Sequence, residues 1–317
     1  MKKFISLLLA GVMLLSLVGC GSTSTGDYPD GDIEIIIPYK VGGTTDLAVR
    51  GVLDAIPEDV LSVDITVTNT VGGSGLIGTE EFMQADADGY TLGLLNCDLV
   101  LNYVTGATEI NPMEDMIALG CVEQDPYFLL AAQNDKFSTF AEFIAYAEAN
   151  PGELVVGVTG VGTIPNLLGT ILTNAGLDVL VVPYDSAPDA IAAVLAGESD
   201  ICISAMASAA GNLESGDLIA IAATSSERSE TLTDVPTMAE VDDRFSEVNL
   251  LSWIMIAVPA GTDDEIVDFW KSAIADAVAS DDYAETRESF YFESITLTAD
   301  DLDDFVDEQA EYYKTLT

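Results

Sequence analysis

From Ile33 onward, short runs of β-branched and aliphatic residues alternate with stretches whose apolar positions recur at helical spacing. This alternation predicts an α/β protein in which a parallel sheet is covered by helices. The runs that read as strands are Ile33 to Ile37, Val63 to Asn69, Tyr90 to Leu95, Phe128 to Ala132, Leu154 to Val158, Val179 to Pro183 and Ile201 to Ser204. Helices are expected between them. Thr139 to Ala149 runs into the stop signal Pro151 and Gly152, Ala187 to Ala196 is ended by Gly197, and the pattern from Asp263 onward is mainly helical. Apart from the segment Gly21 to Gly26, no low-complexity stretch or repeat of solenoid period is visible.

The first apolar run has a different meaning. Lys2 and Lys3 precede Ile5 to Val18, which is shorter than the ~20 residues a membrane span needs, so residues 1–19 read as a secretory signal. Leu17, Val18, Gly19 and Cys20 resemble the lipobox of bacterial lipoproteins, which implies that Cys20 is lipidated and that 20–26 form a tether. No later apolar stretch reaches membrane-spanning length without a charge or a turn residue. The expectation is an exported protein held to a membrane by lipid and facing the periplasm or the cell exterior.

Three candidate strands run into glycine-rich loops that open helices. The first loop is Pro38, Tyr39, Lys40, Val41, Gly42, Gly43, Thr44, Thr45, Asp46; the second is Thr70, Val71, Gly72, Gly73, Ser74, Gly75; the third is Thr159, Gly160, Val161, Gly162, Thr163. Glycine lets a backbone approach a ligand closely, and the free N–H groups of a helix start carry about half a positive charge, so such loops suit anions. Within them Thr44 and Thr45 fit a ligand donor and a helix cap equally, and Asp46 with Arg50 has the i,i+4 spacing of a helix ion pair. Lys40 is a cation in a loop suited to anions. Tyr39, Tyr184 and Trp253 are aromatic residues at strand ends that can wall a pocket or fill a core.

Composition narrows the chemistry. There are 54 acidic residues against 10 basic ones, a net charge of −44; without Lys2 and Lys3 the balance is 8 against 54, or −46. That excludes nucleic acid as a partner, and it repels anions at long range, so an anion site must work through local donors. Histidine is absent, which removes the commonest general base, Ser/His/Asp nucleophiles and the usual catalytic zinc sites. Cys97, Cys121 and Cys202 lie among apolar or small residues without metal spacing and read as buried thiols. No cofactor is expected. Gly73 to Gly78 does spell GxGxxG, the hook for a dinucleotide enzyme, but Asp88 and Asp98 are only loosely placed for the acidic ribose partner, and no P-loop is present.

Taken together, these segments resemble the substrate-binding proteins of tripartite tricarboxylate transporters, the Bug or TctC-like proteins. Pro38 to Asp46 with Arg50 is similar to the family's first-loop signature and Asn69 to Gly78 to its second, followed by Asp88 to Leu92. Asn150 to Leu154 with Gly157 to Thr163 is similar to its second-lobe loop. Val182, Pro183, Tyr184 and the stretch from Arg228 through Asp234 to Glu240 complete the resemblance. It implies a two-lobed periplasmic-binding-protein (type II) fold, each lobe a sheet flanked by helices around a cleft. Residues 27–123 plus 256–317 would form lobe I and 124–255 lobe II, with crossings near Cys121 to Leu130 and Trp253 to Val258.

The resemblance further implies a non-enzymatic protein that captures a small carboxylate. Gly42, Gly43, Thr44, Thr45, Ser74 and Gly75 would anchor it in lobe I, with Tyr39 as a wall. Lobe II would add Thr159, Gly160, Gly162, Thr163, Tyr184 and Ser204. After Tyr184 the family commonly has lysine and glycine, whereas Asp185 and Ser186 stand here, so a monocarboxylate, a dicarboxylate or an amino acid fits as well as a tricarboxylate. The expected partners are that solute and integral membrane transporter subunits. A ligand-presenting sensory lipoprotein would use the same cleft.

Overall fold

The computed structural model describes residues 28–133 and 136–317; the expected lipidation site Cys20 and the leader before it lie outside the described residues. Two parallel β-α-β units form the ends of the molecule. At one end, β1 (Ile33–Ile37) lies between β2 (Ile65–Asn69) and β3 (Thr91–Asn96), parallel to both. At the other, β5 (Val155–Thr159) lies parallel to and between β6 (Leu180–Tyr184) and β7 (Ile201–Ala205). The helices of seven residues or more are α1 (Thr44–Asp54), α2 (Leu76–Phe82), α3 (Cys97–Val104), α4 (Phe140–Ala149), α5 (Ile164–Asn174), α6 (Ala187–Leu195), α7 (Asp264–Val278), α8 (Asp281–Phe290) and α9 (Leu302–Leu316).

The sheet is mixed, which corrects the expectation of a purely parallel one. β4 (Met116–Ala132) and β9 (Leu251–Pro259) run antiparallel through its middle, and β8 (Leu218–Ala223) pairs antiparallel with β4. The order is β2-β1-β3-β9-β4-β7-β5-β6, with β8 off that path. β4 changes partners along its length: Met116 to Pro126 pair with β9, and Tyr127 to Ala131 pair with β7. At ~3.3 Å per residue its 17 residues span roughly 55 Å, enough to serve both ends of the molecule.

The core follows the faces that helices cover. Ile33, Ile35 and Ile37 with Val49, Val52 and Trp270 fill one cluster, while Phe128, Leu130, Ile191 and Cys202 belong to another. The largest cluster reaches from Leu95 and Val100 to Phe140, Leu168 and Trp253, binding both ends together. Fully buried Trp253 donates its indole N–H to Tyr313 on α9 at 3.1 Å, the partner that a buried indole requires, so it belongs to the core.

Candidate functional site

A cleft of about 1100 Å3 opens where the loops after β1, β2, β5 and β6 meet the start of α3. This is the usual place for ligands in open α/β sheets, beyond the carboxyl ends of the strands, and it matches the upper end of small-ligand pockets at ~1000 Å3. Tyr39, Lys40, Gly43, Thr44, Thr45, Ser74, Gly75, Thr159, Gly160, Gly162, Thr163, Tyr184 and Ser204 line it. Trp253, an expected wall candidate, does not.

Gly42, an expected anchor, and Asp46, a candidate from the same glycine-rich loop, are not on the cleft wall, which corrects their assignment to the ligand. Asp46 is buried, and its carboxylate accepts from the Gly42 N–H at 3.0 Å, Arg50 Nε at 2.8 Å and Asn69 Nδ2 at 3.0 Å. Asn69 also donates to the Tyr39 carbonyl at 2.9 Å, so the network ties the first loop to the end of β2. Gly42 provides the left-handed turn, φ 79°, that lets its own N–H point back at Asp46. The N-cap of α1 is Gly43, without a side-chain cap bond, so the cap role open to Thr44 and Thr45 is not used. The Thr44 hydroxyl instead meets Ser208 at 3.1 Å.

The second loop is more contorted. Gly72, Gly73, Ser74 and Gly75 all have positive φ, and Ser74, at 56°, holds a conformation that costs a non-glycine residue about 1 kcal/mol or more. Its hydroxyl reaches across the cleft to the Val161 carbonyl at 2.6 Å. A Cβ on Gly78 would lie 2.6 Å from the Thr70 carbonyl oxygen and 2.9 Å from Pro38 Cα. The GxGxxG spelling is thus accounted for by a tight turn and by packing of the second loop on the first.

The third loop closes from the opposite side. A Cβ on Gly160 would meet Ser74 Oγ at 2.7 Å, and one on Gly162 would meet Asn102 Oδ1 at 2.4 Å, so both glycines permit close approach. Asn102 Nδ2 donates to the Gly162 carbonyl at 2.9 Å. Thr163 caps α5, and its hydroxyl also bonds Thr159 at 2.8 Å. Lys40 Nζ lies 2.7 Å from the Asp189 carboxylate at the cleft edge, both side chains near half exposed. Tyr184 shares a hydrogen bond with Ser199 at 3.0 Å, and the buried Ser204 hydroxyl donates to the Ala205 carbonyl at 3.0 Å.

Asp98 was not among the expected ligand residues. It lies in the first turn of α3 and lines the cleft, nearly buried, accepting from the Tyr39 hydroxyl at 3.2 Å and from the Ile164 N–H, at the start of α5, at 2.8 Å. Burial pushes its carboxyl up to about 6, against the opposing pull of those donors and of the Cys97 thiol. Burial likewise raises Tyr39, Cys97 and Tyr127 far enough to keep them neutral. No local pattern marks Asp98 for this role, because its partner Ile164 is 66 residues away in the chain.

Among the described residues no group of His, Cys, Asp and Glu side chains is arranged to hold a metal ion, and no helix is long and apolar enough to cross a membrane. Cys97, Cys121 and Cys202 are buried free thiols, and burial raises all three, Cys202 to about 12.

Comparison with known proteins agrees with this geometry. The protein is similar to Protein BugT of Bordetella pertussis, 29% identical over 274 residues that cover 85% of this chain and 83% of the relative. Its fold is similar to that of MatC from Rhodopseudomonas palustris, solved with bound malate (TM-score 0.82, 22% identity, 91% of this chain and 99% of the other). An R. palustris protein solved with adipate gives 0.81 at 23% identity, over 92% and 97% of the two chains. These likenesses establish the two-lobed periplasmic-binding-protein fold. The sequence model of the tripartite tricarboxylate transporter family receptor matches residues 49–317, and the chain belongs to that receptor family.

Proposed function

We propose that this protein captures a small carboxylate-bearing solute in the cleft and delivers it to the membrane subunits of a tripartite tricarboxylate-type transporter, anchored through lipid on Cys20. The observation that carries the reading is the set of direct hydrogen bonds joining segments from opposite sides of one cleft: Thr44 with Ser208, Ser74 with Val161, and Asn102 with Gly162. Segments that meet in this way can enclose a solute and exclude water. The malate and adipate held by proteins of the same fold support a carboxylate.

In this reading lobe I comprises residues 27–123 and 256–317 and lobe II residues 124–255, with β4 and β9 as the hinge. The partner change of β4 beside Pro126 supports a hinge there. Gly43, Thr44, Thr45, Ser74 and Gly75 would hold the carboxylate in lobe I, with Tyr39 as a wall. Thr159, Gly160, Gly162, Thr163, Tyr184 and Ser204 would close over the remainder. Gly42 and Asp46 support the first loop from behind. No bond is made or broken.

A thermal-shift screen of the chain without residues 1–26 tests this, because a ligand that binds only the folded state raises the melting temperature. Small mono-, di- and tricarboxylates, amino acids and nicotinamide cofactors form the panel. A shift with carboxylates supports capture; a shift with a nicotinamide cofactor alone would overturn it. Incorporation of labelled palmitate in the expressing cell, lost in Cys20→Ser, checks the anchor.

A further inference from the structure

The charged side chains lining the cleft, among the described residues, are Lys40, Asp98 and Asp185. Lys40 is held by Asp189 at 2.7 Å, which leaves no unengaged cation for a second carboxylate. Asp98 contributes a buried carboxylate whose partners, the Tyr39 hydroxyl, the Ile164 N–H and the Cys97 thiol at 3.9 Å, are all neutral donors. A carboxylate offers about four acceptor directions, so these contacts leave capacity for another donor, and a buried anion without a cation is a costly arrangement.

The position of this acid relative to the glycine loop decides what ligand it suits. The Tyr39 hydroxyl is 3.2 Å from Asp98 and 3.0 Å from the place a Cβ on Gly75 would occupy. One hydroxyl therefore separates the second loop from the acid, and one small molecule can touch both. A ligand with a second carboxylate beside the first would face Asp98 with like charge. A ligand with an ammonium beside its carboxylate would bring the missing cation, and charge-assisted hydrogen bonds of that kind are roughly twice as strong as neutral ones.

We infer that the cleft selects a zwitterion, with Asp98 seating the ammonium group of an α-amino acid whose carboxylate lies against the glycine loops of lobe I. The inference rests on the proposed capture of a carboxylate and assigns its substrate class; it makes Asp98 the residue that rejects plain di- and tricarboxylates.

Calorimetric titration of the chain without residues 1–26 tests it with matched pairs: each proteinogenic L-amino acid beside the same acid with hydrogen in place of the ammonium group, such as L-aspartate and succinate or L-glutamate and glutarate. At least one amino acid should bind about tenfold or more tightly than its partner, as a charge-assisted hydrogen bond implies. In Asp98→Asn, which keeps an oxygen for the Ile164 N–H and loses the charge, that preference should fall to within about threefold. An amine-free acid that binds as tightly as its amino acid, or a preference unchanged in Asp98→Asn, would overturn the inference while leaving carboxylate capture intact. Binding of no carboxylate of either kind would sink both. If Asp98→Asn does not fold, the same pairs on the native chain at pH 7.5 and pH 5 give the answer: a preference that does not shrink on acidification overturns the role of Asp98.

Discussion

Asp46 shows how a residue can matter to the cleft without touching it. Its carboxylate takes three donors from Gly42, Arg50 and Asn69, and through Asn69 it holds the Tyr39 carbonyl. Replacing it with alanine removes the partner of the half-buried Asn69 amide and of the Gly42 N–H and unties the first loop from the end of β2. Arg50 is part exposed and can be rehydrated, so the cost is set below that of a fully buried pair, at about 2 to 3 kcal/mol. Asp46→Ala should therefore lower the denaturant midpoint and weaken carboxylate binding together; binding at native strength in the folded variant would show that the first loop keeps its shape unaided. Asp98 makes the opposite prediction, one of charge. Its carboxyl is raised to about 6, so amino-acid affinity should be full at pH 7.5 and decline as pH falls through 6 and the acid gains its proton. Tyr39, Cys97 and Tyr127 stay neutral across that window, and the Lys40–Asp189 pair stays charged because each partner's titration is moved further away from it. Affinity that holds constant from pH 7.5 to pH 5 would remove Asp98 from contact with the ligand.

At the scale of elements, β4, the proposed hinge, also carries the most unusual pair of buried acids among the described residues. Glu123 and Asp125 are both almost fully buried and hydrogen-bond one another, with Ser252 donating to Glu123 at 3.0 Å and the Glu293 N–H to Asp125 at 2.6 Å. A bond between two acids requires that one keep its proton. Burial and mutual repulsion push Glu123 well up, and burial lifts Asp125 to about 7. A carboxyl raised on folding binds its proton more tightly in the folded state, so its stabilising contribution is full below the unfolded value near 4 and is lost as pH rises through 7. Stability should fall on the order of 2 kcal/mol from pH 5 to pH 8. Denaturant unfolding of Glu123→Gln, which keeps the bond without the titration, should show a flatter profile. A wild-type slope retained in full would place the titration elsewhere.

The same pair explains why β4 was only partly legible. Glu123, Gln124, Asp125 and Pro126 read as a polar break, so the sequence suggests a strand from Phe128 although the structure starts it at Met116. Leu218–Ala223, an alanine-rich run, and Leu251–Pro259 lack the flanking signals that tell a buried strand from a helix, and β9 was anticipated through the family resemblance alone. Strands fed by one helix each, such as Ile33–Ile37, were legible because their pattern is local. The glycine loops were legible for the same reason, whereas the acceptor role of Asp98 depends on a contact that only the folded chain creates.

For the whole molecule, charge sets the terms of the proposed closure. With 54 acidic residues against 10 basic ones, two lobes that approach each other work against their own repulsion, and an anionic ligand meets an unfavourable field before it reaches any donor. The cross-cleft contacts are mostly neutral: Thr44 with Ser208, Ser74 with Val161, Asn102 with Gly162. The Lys40–Asp189 ion pair is exposed, and solvent and salt screen pairs of that kind. Repulsion over the surface is weakened by salt too, since the screening length drops from about 30 Å at 0.01 M to about 4 Å near 0.5 M. The repulsion involves many exposed charges, whereas the attractions are one exposed pair and the proposed Asp98–ammonium contact inside the cleft, which salt screens much less. Raising salt should therefore strengthen binding, the reverse of what a site built on exposed cations shows. Titration of the tightest carboxylate from the thermal-shift panel at 20 mM and 500 mM sodium chloride checks this. Tighter binding at high salt, with Lys40→Ala changing affinity only at low salt, fits capture by neutral donors; weaker binding at high salt would mean that a cation dominates the attraction, and Lys40 would then have to leave Asp189 for the ligand.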